Sequence, residues 1–314
     1  SDTSGYRLLK NVTIVDKRFF SLFSQPISVS YCLWYIFNRK NFSIVHLHLP
    51  NYVSALLVFM FPPKKLIVHW HASIDKVHKN AFFYLLKALE LQILKLSKRI
   101  IIGTKKYADG TKIFSEFKNK LIFIPYGCES SFVKGIERKN TMISVGRLVP
   151  YKGYLELIEK IKFPNNWTWK IIGNGPLLKQ IENVISKKDN IKVYPNCNND
   201  DVKKMLTQSK IFLFPSLTRQ ESYGISQIEA MSAGCVPVNF NIPGSGVGEL
   251  IDNNINGFSV PLNNYSEFNE SVNKLINDQE LLINFSEKSV KHYEKFFTND
   301  VFQKKIFRVY EEII

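Results

Sequence analysis

The sequence contains no long hydrophobic run and few cysteines. Its longest apolar stretch, Tyr52 to Phe61, has ten residues, whereas a helix needs roughly 20 residues to cross a bilayer. We therefore predict no membrane-spanning segment. None of the cysteines has the paired spacing that a zinc site or a redox dithiol requires, which predicts unpaired thiols in a reducing compartment. The four cysteines lie far apart, at Cys32, Cys128, Cys197 and Cys235.

Acidic residues are in deficit. The 314 residues include 42 Lys and Arg but 27 Asp and Glu, a net charge of +15, which predicts attraction to phosphates, nucleic acid or an anionic membrane. Residues 1–140 carry 22 basic and 8 acidic residues, and residues 141–314 carry 20 and 19. Because no aromatic-basic motif, zinc finger or helix-turn-helix accompanies the charge, we predict no nucleic-acid partner and keep a basic nucleic-acid-binding protein only as an alternative.

The first half alternates short apolar runs with longer helical patterns. This rhythm is typical of a parallel sheet covered by helices on both faces, because its strands are apolar along their whole length. Helical patterns occupy residues 50–60 and 78–97. The predicted strands are Ile44–His48, Leu66–Trp70, Arg99–Gly103 and Leu121–Ile124.

The same rhythm restarts after a linker at residues 133–140. We predict an N-terminal domain over residues 1–138, a second α/β domain over 139–292, and a C-terminal helix over 293–314 that returns toward the first domain. Helical patterns occupy residues 153–161, 176–188, 200–208, 224–233 and 266–314. The predicted strands are Thr141–Val145, Trp167–Ile172, Ile191–Tyr194, Lys210–Phe214 and Val236–Val238.

Two glycine-containing loops follow predicted strands in the second domain. Gly146, Arg147 and Lys152 lie between a strand and a helix, where parallel sheets bind ligands and where the two cations could clamp a diphosphate. Solvated surface cations are the alternative. Gly173 and Gly175 form a second turn, which is either a weak nucleotide-binding signal or simply a tight turn.

The segment from Phe214 to Met231 is the most informative. It ends a strand, crosses a polar loop and opens a helix, so the free amides at the helix start form a natural anion site. Glu229 lies one helical turn beyond these amides and suits a pair of sugar hydroxyls, and Glu221 lies in the loop before the helix. The alternative for either carboxylate is stabilisation by the helix dipole. The amides are those of Ser222, Tyr223, Gly224 and Ile225.

Four histidines fall within 26 residues: His46 and His48 on one predicted strand, and His69 and His71 on another. We expect alternation on separate buried strands to give no convergent set of ligands, and we therefore predict no metal site.

Taken in order over residues 41–314, these segments resemble glycosyltransferase family 4, which comprises retaining nucleotide-sugar transferases. The most specific similarity is the pair of glutamates Glu221 and Glu229, seven residues apart within Glu221–Pro237. The loops at Gly146–Gly153 and Gly173–Pro176, and Ile124–Gly127, fall where the family has similar motifs. The resemblance implies the GT-B fold, in which two Rossmann-like domains with parallel sheets face a cleft.

The resemblance also implies a role for each site residue. Arg147 and Lys152 would hold the donor diphosphate and neutralise it as it leaves. Glu221 would contact the transferred sugar, Glu229 the ribose hydroxyls, and His71 the sugar from the opposite domain. No cofactor is expected, because fixed cations and helix termini replace a metal ion. The other implied donor-binding residues are Gly146, Gly173, Gly175, Ser222, Tyr223, Gly224 and Ile225.

Two segments of the sequence depart from the family pattern. The region before residue 41 is too short for the usual first strand and glycine-rich loop, so we expect the N-terminal domain to be incomplete in this sequence. Tyr194–Cys197 is atypical where a base-contacting turn is expected, which leaves the choice between a GDP- and a UDP-sugar open.

The stretch Trp70–Asp75 resembles bacterial O-antigen and exopolysaccharide transferases. This implies a polyprenyl-diphosphate-linked glycan acceptor at the cytoplasmic face of the membrane. Basic residues of the N-terminal domain and the helix around residues 78–98 would bind anionic lipid, although a helix that covers the sheet is the alternative. A nucleotide-sugar epimerase or a phosphorylase of the same fold is the alternative reaction.

Overall fold

The computed structural model describes residues 20–22, 25–73 and 81–314. The chain divides into two compact units, and the boundary between them falls within the N-terminal half of the chain. The first unit comprises Ser1–Trp70, Lys76–Ile100 and Ile313–Ile314, and the second comprises His71–Asp75 and Ile101–Glu312.

The elements before residue 124 include a four-stranded sheet of order β3-β4-β5-β6 and a short antiparallel pair, β1-β2. Side-chain oxygens cap the first two helices: Ser28 accepts from the amide of Tyr31 at 3.2 Å, and Asn51 accepts from the amide of Ser54 at 3.1 Å. The elements are β1 Phe20–Leu22, β2 Gln25–Ile27, α1 Val29–Asn38, β3 Val45–Leu49, α2 Tyr52–Met60, β4 Leu66–Trp70, α3 Ala81–Leu96, β5 Arg99–Ile102, α4 Lys105–Asp109 and β6 Leu121–Phe123, with 3₁₀ turns at Arg39–Asn41 and Lys112–Lys120.

The remaining elements build a six-stranded sheet of order β12-β11-β10-β7-β8-β9, whose strands pair in parallel. Three helices follow the last strand. The elements are β7 Thr141–Val145, α5 Tyr154–Lys160, β8 Thr168–Ile172, α6 Leu178–Ile185, β9 Ile191–Tyr194, α7 Asn199–Gln208, β10 Ile211–Phe214, α8 Ile225–Ser232, β11 Val236–Asn241, β12 Phe258–Pro261, α9 Tyr265–Asn277, α10 Gln279–Phe296 and α11 Asn299–Glu311, with 3₁₀ turns at Pro150–Lys152 and Val247–Glu249.

The six-stranded sheet has an apolar core on each face, because neighbouring side chains of a strand point to opposite sides. Met142 of β7 joins a core with side chains of α5, α6 and α9. Its neighbour Ile143 joins a second core with side chains of α7 and α8. Both residues are fully buried. The predicted α/β architecture with two parallel sheets is confirmed.

The strand order of this sheet reverses at its centre. From β7 the chain adds β8 and β9 on one side, and then returns to place β10, β11 and β12 on the other. At such a reversal the loops that follow the two central strands diverge and leave a crevice at the carboxyl ends of the strands, where open α/β sheets bind ligands. The loops after β7 and β10 contain most of the residues predicted to form a site.

Three of the four clustered histidines lie together, so the expectation of no convergent set is wrong. His46 and His48 share one face of β3 because side chains of a strand repeat every two residues, and His48 lies opposite His69 in the register of β4. Their ring centroids are 4.7, 5.1 and 5.3 Å apart.

Candidate active site

The second unit contains a cavity of about 610 Å³ at the crevice between the loops after β7 and β10. This volume lies within the range of about 300–1,000 Å³ of small-molecule sites. Nine of the twelve predicted site residues line it, and the structure thus brings three separate stretches of sequence together. The lining residues are His71, Tyr126, Gly127, Val145, Gly146, Lys152, Glu221, Ser222, Tyr223, Gly224, Ile225, Ser226, Glu229 and Phe302.

An ion pair joins the two loops. The Nζ atom of Lys152 contacts Oε2 of Glu221, and both side chains are largely buried, with 9% and 12% of their surface exposed. The hydroxyl of Ser216 donates a second hydrogen bond to the same carboxylate at 3.1 Å, and the ammonium lies 4.9 Å from the ring centroid of Phe214. Each charged side chain stabilises the other in this buried position, because an isolated buried charge is strongly unfavourable.

Tyr154 lies beneath this ion pair and is fully buried. Burial, and secondarily the negative charge of Glu221, raise the pKa of Tyr154, which keeps the phenol neutral. Gly146 passes close above it: a Cβ atom at residue 146 would lie 2.9 Å from the Tyr154 hydroxyl and 3.2 Å from Nζ of Lys152. The lack of a side chain at Gly146 therefore leaves room for the ammonium.

Gly173 and Gly175 do not line the cavity but support the loop after β7. Gly173 has a φ of +147°, and a Cβ atom there would lie 1.9 Å from the carbonyl oxygen of Gly146. A Cβ atom at Gly175 would lie 2.5 Å from the carbonyl oxygen of Leu148. Both glycines thus permit a close backbone approach that any side chain would prevent.

The amides at the start of α8 face the cavity. Gly224 adopts φ +102° as the helix cap, and the first amide to bond back is that of Gln227, which donates to the carbonyl of Gly224 at 3.0 Å. Within the described part of the chain, no acceptor is bonded to the preceding amides, those of Ser222, Tyr223, Gly224 and Ile225. Such amides carry the positive end of the helix dipole and suit an anion.

A buried polar network holds this loop in place. The hydroxyl of Ser245 donates to the carbonyl oxygen of Glu221, and the amide of Gly246 donates to the carbonyl of Ser222 at 3.0 Å. The side-chain amide of Gln227 donates to the carbonyl of Val247 at 3.1 Å and accepts from Asn239 at 2.7 Å. The glycine-rich segment 241–249 therefore orders the Glu221 loop.

Glu229 lies one turn into α8, half-buried in the wall of the cavity. Burial raises the pKa of its carboxyl group, and the positive charge of Lys203 opposes this only in part. The carboxylate therefore binds protons at a higher pH than an exposed glutamate does. Hydroxyl donors would stabilise its ionised form.

Aromatic side chains form the opposite wall, and two of them, His71 and Tyr223, are among the predicted site residues. The rings of His71 and Tyr126 stack with centroids 5.2 Å apart, and Tyr126 meets Tyr223 edge to face at 4.5 Å. The hydroxyl of Tyr223 donates to the carbonyl of Tyr126 at 3.2 Å. Phe302 of α11 completes the wall, and its ring centroid lies 6.3 Å from that of Tyr126. Tyr126 lies in a motif that the sequence singled out, whereas no motif marks Phe302.

Arg147 differs from the other predicted cation. Its side chain is exposed at the end of β7 and does not line the cavity. Lys152 is 7% exposed. Of the two residues predicted to clamp a diphosphate, the structure places only Lys152 in the cavity wall.

Comparison with known proteins assigns the chain to a family. The family model of glycosyl transferases group 1 matches residues 129–292, which include β7 to α9 and both cavity loops. O-antigen chain mannosyltransferase C of Escherichia coli is 24% identical over 304 residues, covering 91% of this chain and 80% of that protein. An uncharacterized glycosyltransferase of Methanocaldococcus jannaschii is 28% identical, and the match covers 68% of this chain and 59% of that protein.

The fold is shared with solved structures. The crystal structure of Anabaena HepE in complex with UDP matches with a TM-score of 0.75 at 15% identity, covering 90% of this chain and 82% of that one. A likeness at this identity shows the fold, and the predicted GT-B fold is confirmed. Because the family model covers more than half of the chain, the protein is a member of the glycosyl transferases group 1 family.

Proposed function

We propose that this glycosyltransferase is a retaining enzyme that moves a hexose from a nucleoside-diphosphate sugar to a glycan or lipid-linked oligosaccharide in bacterial surface polysaccharide synthesis. One observation carries the proposal: the Lys152–Glu221 ion pair and the unbonded amides of residues 222–225 line the same cavity. Cations and helix-start amides bind diphosphate, and a carboxylate beside them binds sugar hydroxyls.

The ion pair defines the first step. When a diphosphate enters, its charge competes with the Glu221 carboxylate for Nζ of Lys152. Glu221 keeps the hydrogen bond from Ser216 and turns its remaining oxygen toward a sugar hydroxyl, which donates to it. The amides of residues 222–225 then bind the phosphate oxygens, and Glu229 accepts hydrogen bonds from the ribose.

The proposed transfer breaks the bond between the sugar C1 and the β-phosphate oxygen. Negative charge accumulates on the leaving diphosphate, where Lys152 and the helix amides stabilise it, and Arg147 approaches from the exposed end of β7. These groups are fixed before the reaction, so little reorganisation opposes it, and we propose that the transfer needs no bound metal. The acceptor hydroxyl attacks C1 from the face that the diphosphate leaves and gives its proton to a leaving phosphate oxygen, so configuration is retained.

The names of similar proteins support a role in polysaccharide synthesis without selecting a donor. One relative is an O-antigen mannosyltransferase, another is a capsular polysaccharide glycosyltransferase of Staphylococcus aureus, and HepE was solved with UDP. We propose a GDP- or UDP-hexose as donor and a polyprenyl-diphosphate-linked glycan as acceptor.

The function is tested by a screen followed by product analysis. Each common GDP- and UDP-hexose is added to the purified protein, and a rise in the unfolding midpoint identifies the donor, since a ligand of the folded state stabilises it. The donor, labelled in its sugar, is then incubated with a polyprenyl-diphosphate disaccharide. We expect label in the lipid-linked product with its anomeric configuration kept. Isomerised donor or free sugar phosphate as the product would replace the transferase with an epimerase or a phosphorylase.

We further propose that the first unit binds the cytoplasmic face of an anionic membrane. None of the helices in the described ranges is long and apolar enough to cross a bilayer. Helix α3 buries Ile93 and Leu94 against its own unit and exposes Phe82, Tyr84 and Leu85, so it both covers the sheet and presents apolar side chains. Exposed lysines, among them Lys64, Lys95 and Lys98, supply the positive charge that anionic lipid attracts.

Vesicle sedimentation tests the membrane proposal. The protein should sediment with anionic but not with neutral vesicles, and Leu85→Ser should weaken the binding. Ile283→Ser is the matched control, because Ile283 is also an exposed helical residue, at 59% against 65% for Leu85, and lies in the second unit. Equal sedimentation with both kinds of vesicle, or equal loss in both variants, would contradict the proposal.

A further inference from the structure

Three imidazole rings converge on neighbouring strands of the first unit. His46 and His48 lie on β3 and His69 lies on β4, and their nearest ring nitrogens all lie within 4.8 Å of one another. The parallel register fixes this arrangement, because His48 and His69 are directly paired and His46 lies two residues before His48 on the same face. None of the three lines the cavity of the second unit.

We infer that these three histidines form a binding site for a divalent transition-metal ion of the zinc class. Three imidazoles and an open fourth position are the ligand set of many zinc sites, and imidazole also suits copper, nickel and iron. Among the described residues, the cluster contains imidazole nitrogens and no carboxylate, which disfavours calcium and magnesium because both prefer oxygen.

The distances show how much adjustment is needed. Zinc–nitrogen bonds of about 2.0–2.1 Å place two ligands of a tetrahedral ion about 3.3 Å apart. The nitrogens here are separated by up to 4.8 Å. Closing the set requires rotations about the side-chain bonds that bring the nitrogens roughly 1.5 Å closer together. The strands need not move, because the register already places the three rings beside one another.

Exposure differs among the three ligands in a way that suits a site with an entry path. His69 is 1% exposed, His46 is half-buried and His48 is exposed. The ion would enter beside His48, and water or another small ligand would complete its coordination there. The bound ion would link β3 to β4, so we expect it to stabilise the first unit rather than to take part in sugar transfer.

Metal retention by the full chain tests the site. The tag-free protein is stripped with chelator, dialysed against Zn²⁺, and analysed for bound zinc by atomic emission, and Co²⁺ binding is followed by its visible absorption. We expect about one ion per chain. His48→Gln and His46→Gln should each weaken binding by more than the roughly 10–100-fold that loss of an outer-shell partner costs. His48 is the first choice because its exposed ring can be replaced without opening the core.

His292→Gln is the matched control, because His292 lies in the second unit and contacts Asp252 at 3.2 Å. It should leave zinc affinity unchanged. Circular dichroism and the metal-free unfolding midpoint show that each variant is folded. The inference is overturned if the folded wild-type chain retains no zinc, if His46→Gln and His48→Gln bind as the wild type does, or if only His292→Gln loses the ion. The outcome does not depend on donor binding or transfer.

Discussion

The part of the molecule with the most positive charge is not the part that contains the proposed phosphate site. Residues 1–140 carry an excess of 14 positive charges, and residues 141–314 carry an excess of one. Eleven of the fourteen described cavity residues nevertheless lie in residues 141–314, and the one lysine among those fourteen, Lys152, is already paired with Glu221. In the proposed mechanism, the number of cations in a region therefore does not indicate where the diphosphate binds.

The two regions use charge in different ways. Exposed lysines act through a field that salt screens within about 10 Å, which suits attraction to a surface. A buried lysine acts at contact distance in a low dielectric and is held in one geometry. The structure assigns the second arrangement to Lys152, which is 7% exposed between two loops and a tyrosine.

The largest effect is expected from Lys152→Met. Removal of this lysine from the cavity wall should lower kcat for sugar transfer by about 10²–10³-fold, as loss of one preorganised stabilising group does. Lys187→Met makes the same change at an exposed position of the second unit and should leave kcat unchanged. Steady-state kinetics with saturating donor measures both, and equal rates in the two variants would remove Lys152 from the mechanism.

The Lys152–Glu221 ion pair should also contribute to the free energy of unfolding. Lys152→Met leaves the Glu221 carboxylate buried without its cation, which should lower the free energy of unfolding by about 3 kcal/mol. The double variant Lys152→Met/Glu221→Gln removes the orphaned charge and should recover at least half of that loss. Urea denaturation of the single and double variants gives the coupling. Additive losses would show that the two side chains do not depend on each other.

Glu229 should make donor affinity depend on pH. Burial raises the pKa of this carboxyl group, so as the pH falls it takes up a proton before an ordinary glutamate would, and it then accepts ribose hydrogen bonds less well. Donor affinity should therefore be full at neutral pH and decline at a pH above the ordinary glutamate value. Calorimetric titrations should show this decline in the wild type and a flat, roughly tenfold weaker profile in Glu229→Gln. A parallel decline in both proteins would assign the titration to another group.

The smallest effect on donor binding is expected in the basic region. Lys98→Gln removes an exposed cation of the first unit and should change the donor Kd by less than about twofold. The same variant should weaken binding to anionic vesicles by about fivefold, since each lysine near the surface contributes about 1 kcal/mol. A variant that loses donor affinity and keeps vesicle binding would reverse the roles of the two regions.

The strands were predictable because they are apolar on both faces. Leu66–Trp70, Thr141–Val145 and Ile191–Tyr194 are observed with the predicted ends. Two elements gave weaker signals. Strand β12, Phe258–Pro261, has four residues, follows a glycine and ends in a proline, so its sequence resembles a loop. Helix α1, Val29–Asn38, lies before the region where the alternation becomes clear.

The site was predictable in its parts but not in its assembly. Each loop that follows a strand could be recognised locally, yet only the reversal of strand order at β7 and β10 brings Lys152 to Glu221. Phe302 could not be predicted, since its place in the wall depends on how α11 packs. The histidine cluster was missed for a different reason. Alternation along the strands was expected to keep the rings apart, whereas the two-residue repeat of a strand places His46 and His48 on the same face.

A crystal structure of the complex with the donor found in the screen tests the central claim most directly. We expect diphosphate oxygens to lie within hydrogen-bonding distance of Nζ of Lys152 and of the amides of residues 222–225, with the ribose at Glu229. A diphosphate bound instead by the exposed lysines and arginines of residues 1–140, with the Lys152–Glu221 pair intact, would contradict it.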